Sequence, residues 1–128
     1  MNTPTVLLVE DDEENALLGT TLLKRLGVHV LHAPDGIRAL KMAAQYTPDL
    51  ILLDISMPGL TGLEVLEKLR ADEKTKPLSV IMLTSRQFLP EFQKAQSLGA
   101  KGFLTKPYDL DAFLSRVCME LGIPMPKA

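Results

Sequence analysis

The chain has a single cysteine, Cys118, in 128 residues, so it can form no intrachain disulfide. That suits a reducing, cytoplasmic setting, and Cys118 itself reads as a small apolar residue of a helix. A basic excess is missing too. The net charge is −2 and the pI about 5.6, against the positive balance usual for a nucleic-acid-binding surface. No apolar run approaches the ~18 residues of a membrane span. Met1-Asn2-Thr3-Pro4 has neither the basic start nor the long apolar stretch of a signal peptide. His29 and His32 are the only histidines, too few and too poorly spaced for a histidine metal site. No internal repeat or low-complexity segment occurs. What is present is ordinary for a soluble globular domain: 46% hydrophobic and 23% charged residues, in a length that suits one domain with its own core.

Within this composition one stretch stands out, Asp49-Leu50-Ile51-Leu52-Leu53-Asp54-Ile55-Ser56-Met57-Pro58-Gly59. Four apolar residues run into a carboxylate and then into a turn, the pattern of a strand buried on both faces. Thr5 to Val9 reads as an earlier strand of the same kind. Val28 to His32 is shorter and alternates, which suggests a place near the sheet edge. Leu78 to Leu83 and Gly102 to Thr105 complete five strands. Between them lie helical patterns. Leu18, Leu22 and Leu26 precede a stop at Gly27. Ile37, Leu40, Ala43 and Ala44 mark a second helix after the Asp35-Gly36 turn. Thr61 and Glu64 have capping-box spacing ahead of Leu63, Leu66 and Leu69. Pro90 suits the first turn of a fourth helix, with Gly99 as its stop. Asp109 can cap a fifth, whose core stripe is Leu110, Phe113, Leu114, Val117 and Leu121. Residues 123–128 cannot continue that helix and read as a tail or the start of a linker, leaving 1–122 as the domain. Strand–helix alternation five times over implies an α/β fold with parallel strands, right-handed crossovers and helices on both faces.

Such a sheet delivers the residues that follow its strands to one edge, where ligands bind. Here those residues are Glu10 and Asp11, Asp54, Thr84 and Lys106. Each alone is unremarkable; their convergence is not. Carboxylates held within ~5 Å of one another repel by roughly 3 kcal/mol per pair at an effective dielectric of 20. A hard divalent cation with oxygen ligands would offset this, and Lys106 adds a second positive charge. A metal, an ammonium and a hydroxyl around one carboxylate suit phosphoryl transfer with Asp54 as nucleophile.

The ordered set of motifs resembles the receiver domain of the response-regulator family of two-component signalling, of the chemotaxis-regulator kind. It comprises Leu7-Leu8-Val9-Glu10-Asp11-Asp12, Ala33-Pro34-Asp35-Gly36, Leu52-Leu53-Asp54-Ile55-Ser56-Met57-Pro58-Gly59, Leu83-Thr84-Ser85, and Gly99-Ala100-Lys101-Gly102-Phe103-Leu104-Thr105-Lys106-Pro107. The match runs from about Thr5 to about Leu121. The resemblance implies a doubly wound, flavodoxin-like sheet of strand order 2-1-3-4-5 with five helices. It implies Asp54 as phospho-acceptor and Lys106 as partner of the phosphoryl group. Mg²⁺ (or Mn²⁺) would be held by Asp11, by Glu10 through water, by Asp54 and by the backbone carbonyl of Ser56. Thr84 and Phe103 would be the switch pair, and the bond before Pro107 would be cis. Asp12 falls outside the acidic pair, as a helix-start residue.

The implied activity is that of a phospho-accepting signalling domain rather than an enzyme. Its donor would be a histidine kinase or histidine phosphotransfer protein. Its output would be a protein target or output domain read through helix four, strand five and helix five, with a phosphorylation-dependent homodimer possible. Neither nucleic-acid binding nor membrane insertion is expected. Departures from the common pattern are Thr61 for Asp and Phe103 for Tyr. Ser56 and Arg86 occupy variable positions, and neither suits orienting an attacking water, which implies slow self-dephosphorylation. Three other readings compete. A receiver-like module that works without phosphorylation keeps the fold but leaves the reactive positions unused. An aspartate-nucleophile phosphatase usually has a second acid where Ser56 stands. A flavodoxin needs a phosphate loop where the chain has Glu10-Asp11-Asp12-Glu13-Glu14.

Overall fold

Four consecutive apolar residues make a strand only where both of its faces are covered, and β3 (Leu50–Asp54) is buried throughout. In the computed structural model, which describes residues 3–85 and 89–126, β3 is the middle strand of a parallel sheet of order β2-β1-β3-β4-β5. The other strands are β1 (Thr5–Val9), β2 (His29–Ala33), β4 (Val80–Thr84) and β5 (Gly102–Thr105). The intervening helices are α1 (Glu13–Lys24), α2 (Gly36–Tyr46), α3 (Gly62–Ala71), α4 (Leu89–Ser97) and α5 (Leu110–Leu121). This is the expected doubly wound α/β sheet, and β2 is an edge strand as its alternation indicated.

Because strand side chains alternate, the sheet has two cores. Val6, Leu8, Leu50, Leu52, Ile81 and Leu83 meet Leu22 and Leu23 of α1 and Phe113, Leu114 and Val117 of α5. Leu7, Val9, Ile51, Leu53, Val80 and Met82 meet Ala39 and Ala43 of α2, Val65, Leu66 and Leu69 of α3, and Ala95 of α4. The register aligns the strand ends: Val9 pairs with Leu53, Asp54 with Leu83 and Thr84 with Thr105.

The helices begin where the polar residues allow. Asp12, Asp35 and Asp109 cap α1, α2 and α5 by accepting amide hydrogens three residues on. Asp12 is therefore a helix-start residue, as expected. Thr61 and Glu64 form both bonds of a capping box on α3. Gly122 ends α5 in a left-handed conformation.

Three expectations need correction. Leu18 is 43% exposed; α1 turns Ala16, Gly19, Leu22 and Leu23 inward instead. Gly19 lies so close to Leu8 that a Cβ there would come within 2.9 Å of it, and this approach defines the inner face. Ile37 is 60% exposed, because Gly36, Ala39 and Ala43 face inward on α2. Leu110 is also exposed, standing outside the buried stripe of Phe113, Leu114, Val117 and Cys118. In addition, β4 begins at Val80 rather than Leu78. Leu78 is held in a turn by its amide bond to the Thr75 carbonyl, and its own carbonyl accepts from Arg70. Arg86 lies outside the described residues, as do the last two residues of the tail.

Helix α3 is seated directly on the end of β3. The Gly62 amide donates to the Ile55 carbonyl at 2.9 Å, and a Cβ at Gly62 would lie 2.2 Å from the Asp54 carbonyl oxygen. Backbone cannot move aside as a side chain can. Gly62→Ala is expected to destabilise the fold by about 3 kcal/mol or more, read as the shift in urea-unfolding free energy. A loss below about 1 kcal/mol would show that the α3 terminus is free to retreat.

Candidate functional site

Glu10 follows β1, Asp54 ends β3, Thr84 ends β4 and Lys106 follows β5, so the parallel register brings all four to one edge. Glu10 is completely buried and Asp54 is 2% exposed. Lys106 Nζ lies 2.8 Å from Glu10 Oε1 and 3.1 Å from Asp54 Oδ2, bridging the two carboxylates. The other Asp54 oxygen, Oδ1, accepts from the Ser56 amide at 3.1 Å. Glu10 Oε2 accepts from the Asp12 amide at 3.3 Å. Asp11 is exposed at the rim. One carboxylate oxygen each from Glu10, Asp11 and Asp54 lies within 4.8 Å of the others. Oxygen donors of this kind, at this mutual separation, fit a hard divalent cation.

Thr84 is buried, and its carbonyl accepts from the Lys106 amide at 2.8 Å, tying the end of β4 to the lysine. The Lys106–Pro107 bond is cis. Phe103 is half-buried, and its ring stacks on Phe92 of α4 with centroids 4.1 Å apart. Ser56 is exposed in the loop after β3.

The electrostatics follow from this crowding. Burial and the neighbouring Glu10 carboxylate push the Asp54 carboxyl up to about 7, and Lys106 only partly opposes them. For Lys106, burial acts to lower the pKa, but the bond to Glu10 and the charges of Asp54 and Glu10 outweigh it, so the ammonium is held above its usual range.

Two residues of the site escaped the sequence reading. Tyr108 Oη sits 3.5 Å from Glu10 Oε1, and its ring packs against Phe113. Burial, then the Glu10 and Asp54 charges, raise its pKa. His32 Nε2 lies 2.8 Å from the Glu10 carbonyl oxygen. His32 is the penultimate residue of β2 and Tyr108 lies three residues after β5, so both stand near the edge that carries the carboxylates, but their contacts with Glu10 leave no signal in the sequence.

With the geometry in hand, the relatives are informative. A model of the response regulator receiver domain matches residues 6–118. The chain is 32% identical over 120 residues to the polar-differentiation response regulator DivK of Brucella ovis, covering 94% of this chain and 98% of that protein. It is 37% identical over 114 residues to the DNA-binding dual master transcriptional regulator RpaA of Synechocystis sp., covering 89% of this chain but 47% of RpaA. It thus spans about half the length of RpaA and nearly all of DivK. Among solved structures, the receiver domain of the sensor histidine kinase PA1611 from Pseudomonas aeruginosa PAO1 has a magnesium ion coordinated in its active-site cleft. It superposes with a TM-score of 0.85 at 27% identity, covering 94% of this chain and 99% of that one. The acidic group Glu10, Asp11 and Asp54 fits a metal site of that kind. No helix among the described residues is long and apolar enough to cross a membrane.

The raised Asp54 pKa has a measurable consequence. Between about pH 4 and 7 the folded state holds a proton on Asp54 that the unfolded chain has released, so this group's contribution to stability falls as pH rises through that window. In chelator, Asp54→Asn should be more stable than the parent by about 1–3 kcal/mol at pH 8, and the gap should narrow steadily towards pH 5. Urea unfolding at several pH values measures it; a gap that stays constant from pH 8 to 5 would contradict the assigned shift.

Proposed function

The chain belongs to the response regulator receiver family, a family of signalling domains, and we propose that it takes a phosphoryl group from a phosphohistidine onto Asp54. The observation that carries this is the Lys106 ammonium seated between Asp54 and Glu10 at 3.1 and 2.8 Å. The phosphorus–nitrogen bond of the donor breaks as a bond forms from an Asp54 carboxylate oxygen to phosphorus, and the imidazole of the donor leaves. Asp54 must be ionised to attack. Lys106 favours that form and then pairs with the phosphoryl oxygens. The Ser56 amide fixes one Asp54 oxygen and so orients the other. Glu10, Asp11, Asp54 and the Ser56 carbonyl would hold Mg²⁺ or Mn²⁺, which supplies charge neutralisation for the phosphoryl oxygens. The donor is a histidine kinase or a histidine phosphotransfer protein.

The output is conformational. The Thr84 hydroxyl turns to the phosphoryl group, and Phe103 leaves its stack on Phe92 and moves inward. The face made by α4, β5 and α5 then changes for a protein target, an output domain or a second copy of the chain. That face includes a cavity of about 190 Å³ lined by Phe103, Pro107, Tyr108 and Phe113 among others.

Two experiments test the reading. With Mg²⁺ and a small acyl phosphate, the parent protein should gain one phosphoryl mass, and neither Asp54→Asn nor the parent in chelator should. Undiminished labelling of Asp54→Asn would refute the assignment, and an unlabelled parent would favour a module that works without phosphorylation. Phe103→Ala should label normally but lose at least half of the phosphorylation-dependent change in amide exchange along β5 and α5. A full response from that variant would remove Phe103 from the switch.

A further inference from the structure

The backbone of Glu10 is held as closely as its side chain. β2 ends at Ala33, so the Glu10 amide still reaches the Ala33 carbonyl, at 3.1 Å, while the Glu10 carbonyl lies beyond the ladder. The His32 ring supplies a donor there, with Nε2 at 2.8 Å. A carbonyl oxygen only accepts, so Nε2 carries hydrogen, as it does in the Nε2–H tautomer and in the imidazolium alike. The Glu10 carbonyl shares a rigid peptide plane with the Asp11 amide. Fixing that plane sets the direction in which Asp11 leaves β1. Asp11 needs such help, because its carboxylate makes no hydrogen bond or ion pair among the described residues, whereas Asp12 is anchored as the cap of α1. His32 is itself exposed on an edge strand and adds little to either core. The Glu10 carbonyl is its one hydrogen-bond partner among the described residues.

We propose that His32 is a positioning residue for the acidic pair: through the Glu10 carbonyl it fixes the exit of Asp11 from β1 and so the place of the Asp11 carboxylate beside Glu10 and Asp54. This rests on the reading of those carboxylates as a metal site. Two substitutions separate the donor from the bulk of the ring. His32→Gln keeps an N–H donor at similar reach, and His32→Phe keeps the ring without it.

The first readout needs no metal. In chelator, amide exchange at Asp11 and Asp12 should accelerate several-fold in His32→Phe and stay near the parent value in His32→Gln. The second is the Mg²⁺ dissociation constant by calorimetry. It should rise about tenfold in His32→Phe, the low end of what outer partners of metal ligands contribute, and stay within about twofold in His32→Gln. Unchanged urea midpoints in both variants exclude unfolding as the cause. The proposal is overturned if His32→Phe matches the parent in either readout, or if both variants weaken Mg²⁺ binding equally, which would assign the effect to the ring and not to the donor. A parent protein that binds no Mg²⁺ overturns the metal-site reading and the proposal with it, whereas parent-like exchange in His32→Phe overturns the proposal alone.

Discussion

Everything at the carboxyl edge of the sheet depends on where one ammonium group sits. Glu10 and Asp54 are both buried, and burying two carboxylates together is unfavourable on two counts, desolvation and mutual repulsion. Lys106, within 3.1 Å of each, supplies the counter-charge. It does not come from a neighbouring strand. β1 and β3 carry the carboxylates, and β5 lies two places beyond β3. The position of Nζ is therefore inherited through the register of β1 on β3, β3 on β4 and β4 on β5. The bond from the Lys106 amide to the Thr84 carbonyl carries that register past the last ladder pair. A slip of one residue in any of these pairings would separate the charges and also turn the apolar side chains of that strand to the wrong core.

The two apolar cores supply the rigidity that this arrangement needs. They clamp alternate residues of the same strands, so neither face of β1, β3 or β4 can shift without opening one of them. Helix α3 adds a stop at the end of β3 through Gly62, whose lack of a side chain lets the helix rest on the Asp54 carbonyl. The capping box then fixes how α3 leaves that contact. Asp54 is thus located by packing from the core side and by backbone from the loop side. Only its carboxylate is left to respond to charge.

Most of this was legible in the sequence, for a definite reason. Strands such as Leu50–Asp54 announce themselves by continuous apolar runs, and parallel order sends every following residue to one edge. Glu10, Asp11, Asp54, Thr84 and Lys106 could therefore be gathered from the sequence. The helix faces were read less well. In α1 and α2 the inner surface sets small residues, Ala16, Gly19, Gly36, Ala39 and Ala43, beside Leu22 and Leu23, and the small ones admit close approach. Leu18 and Ile37 lie outward. Leu22, Leu40 and Ala43 were placed correctly, but counting large apolar residues favours bulk over fit, so it added Leu18 and Ile37 and passed over the small residues. His32 and Tyr108 were missed for another reason. Their roles are contacts with Glu10, a residue far away in the chain, and spacing along one strand carries no trace of them.

The same contacts set the energetics of the proposed switch. Moving a population from 1:99 to 99:1 requires about 5.5 kcal/mol. A Thr84 hydrogen bond to a charged phosphoryl oxygen contributes ~1.5–3 kcal/mol, which is not enough alone. Phe103 begins stacked on Phe92, an arrangement worth about 0.5–1.5 kcal/mol that must be given up before the ring can turn inward. The remainder has to come from burial of that ring and from Lys106. Lys106 is the stronger candidate, because its present partners are two carboxylates and the phosphoryl group would add further anionic oxygens within its reach. Charge regrouping at Lys106 and aromatic rearrangement at Phe103 would then be parts of one step. Both residues follow from the same strand: Phe103 lies within β5 and Lys106 immediately after it. A strand that carries the counter-charge and the ring together can couple the state of Asp54 to the α4–β5–α5 face without any intermediate element.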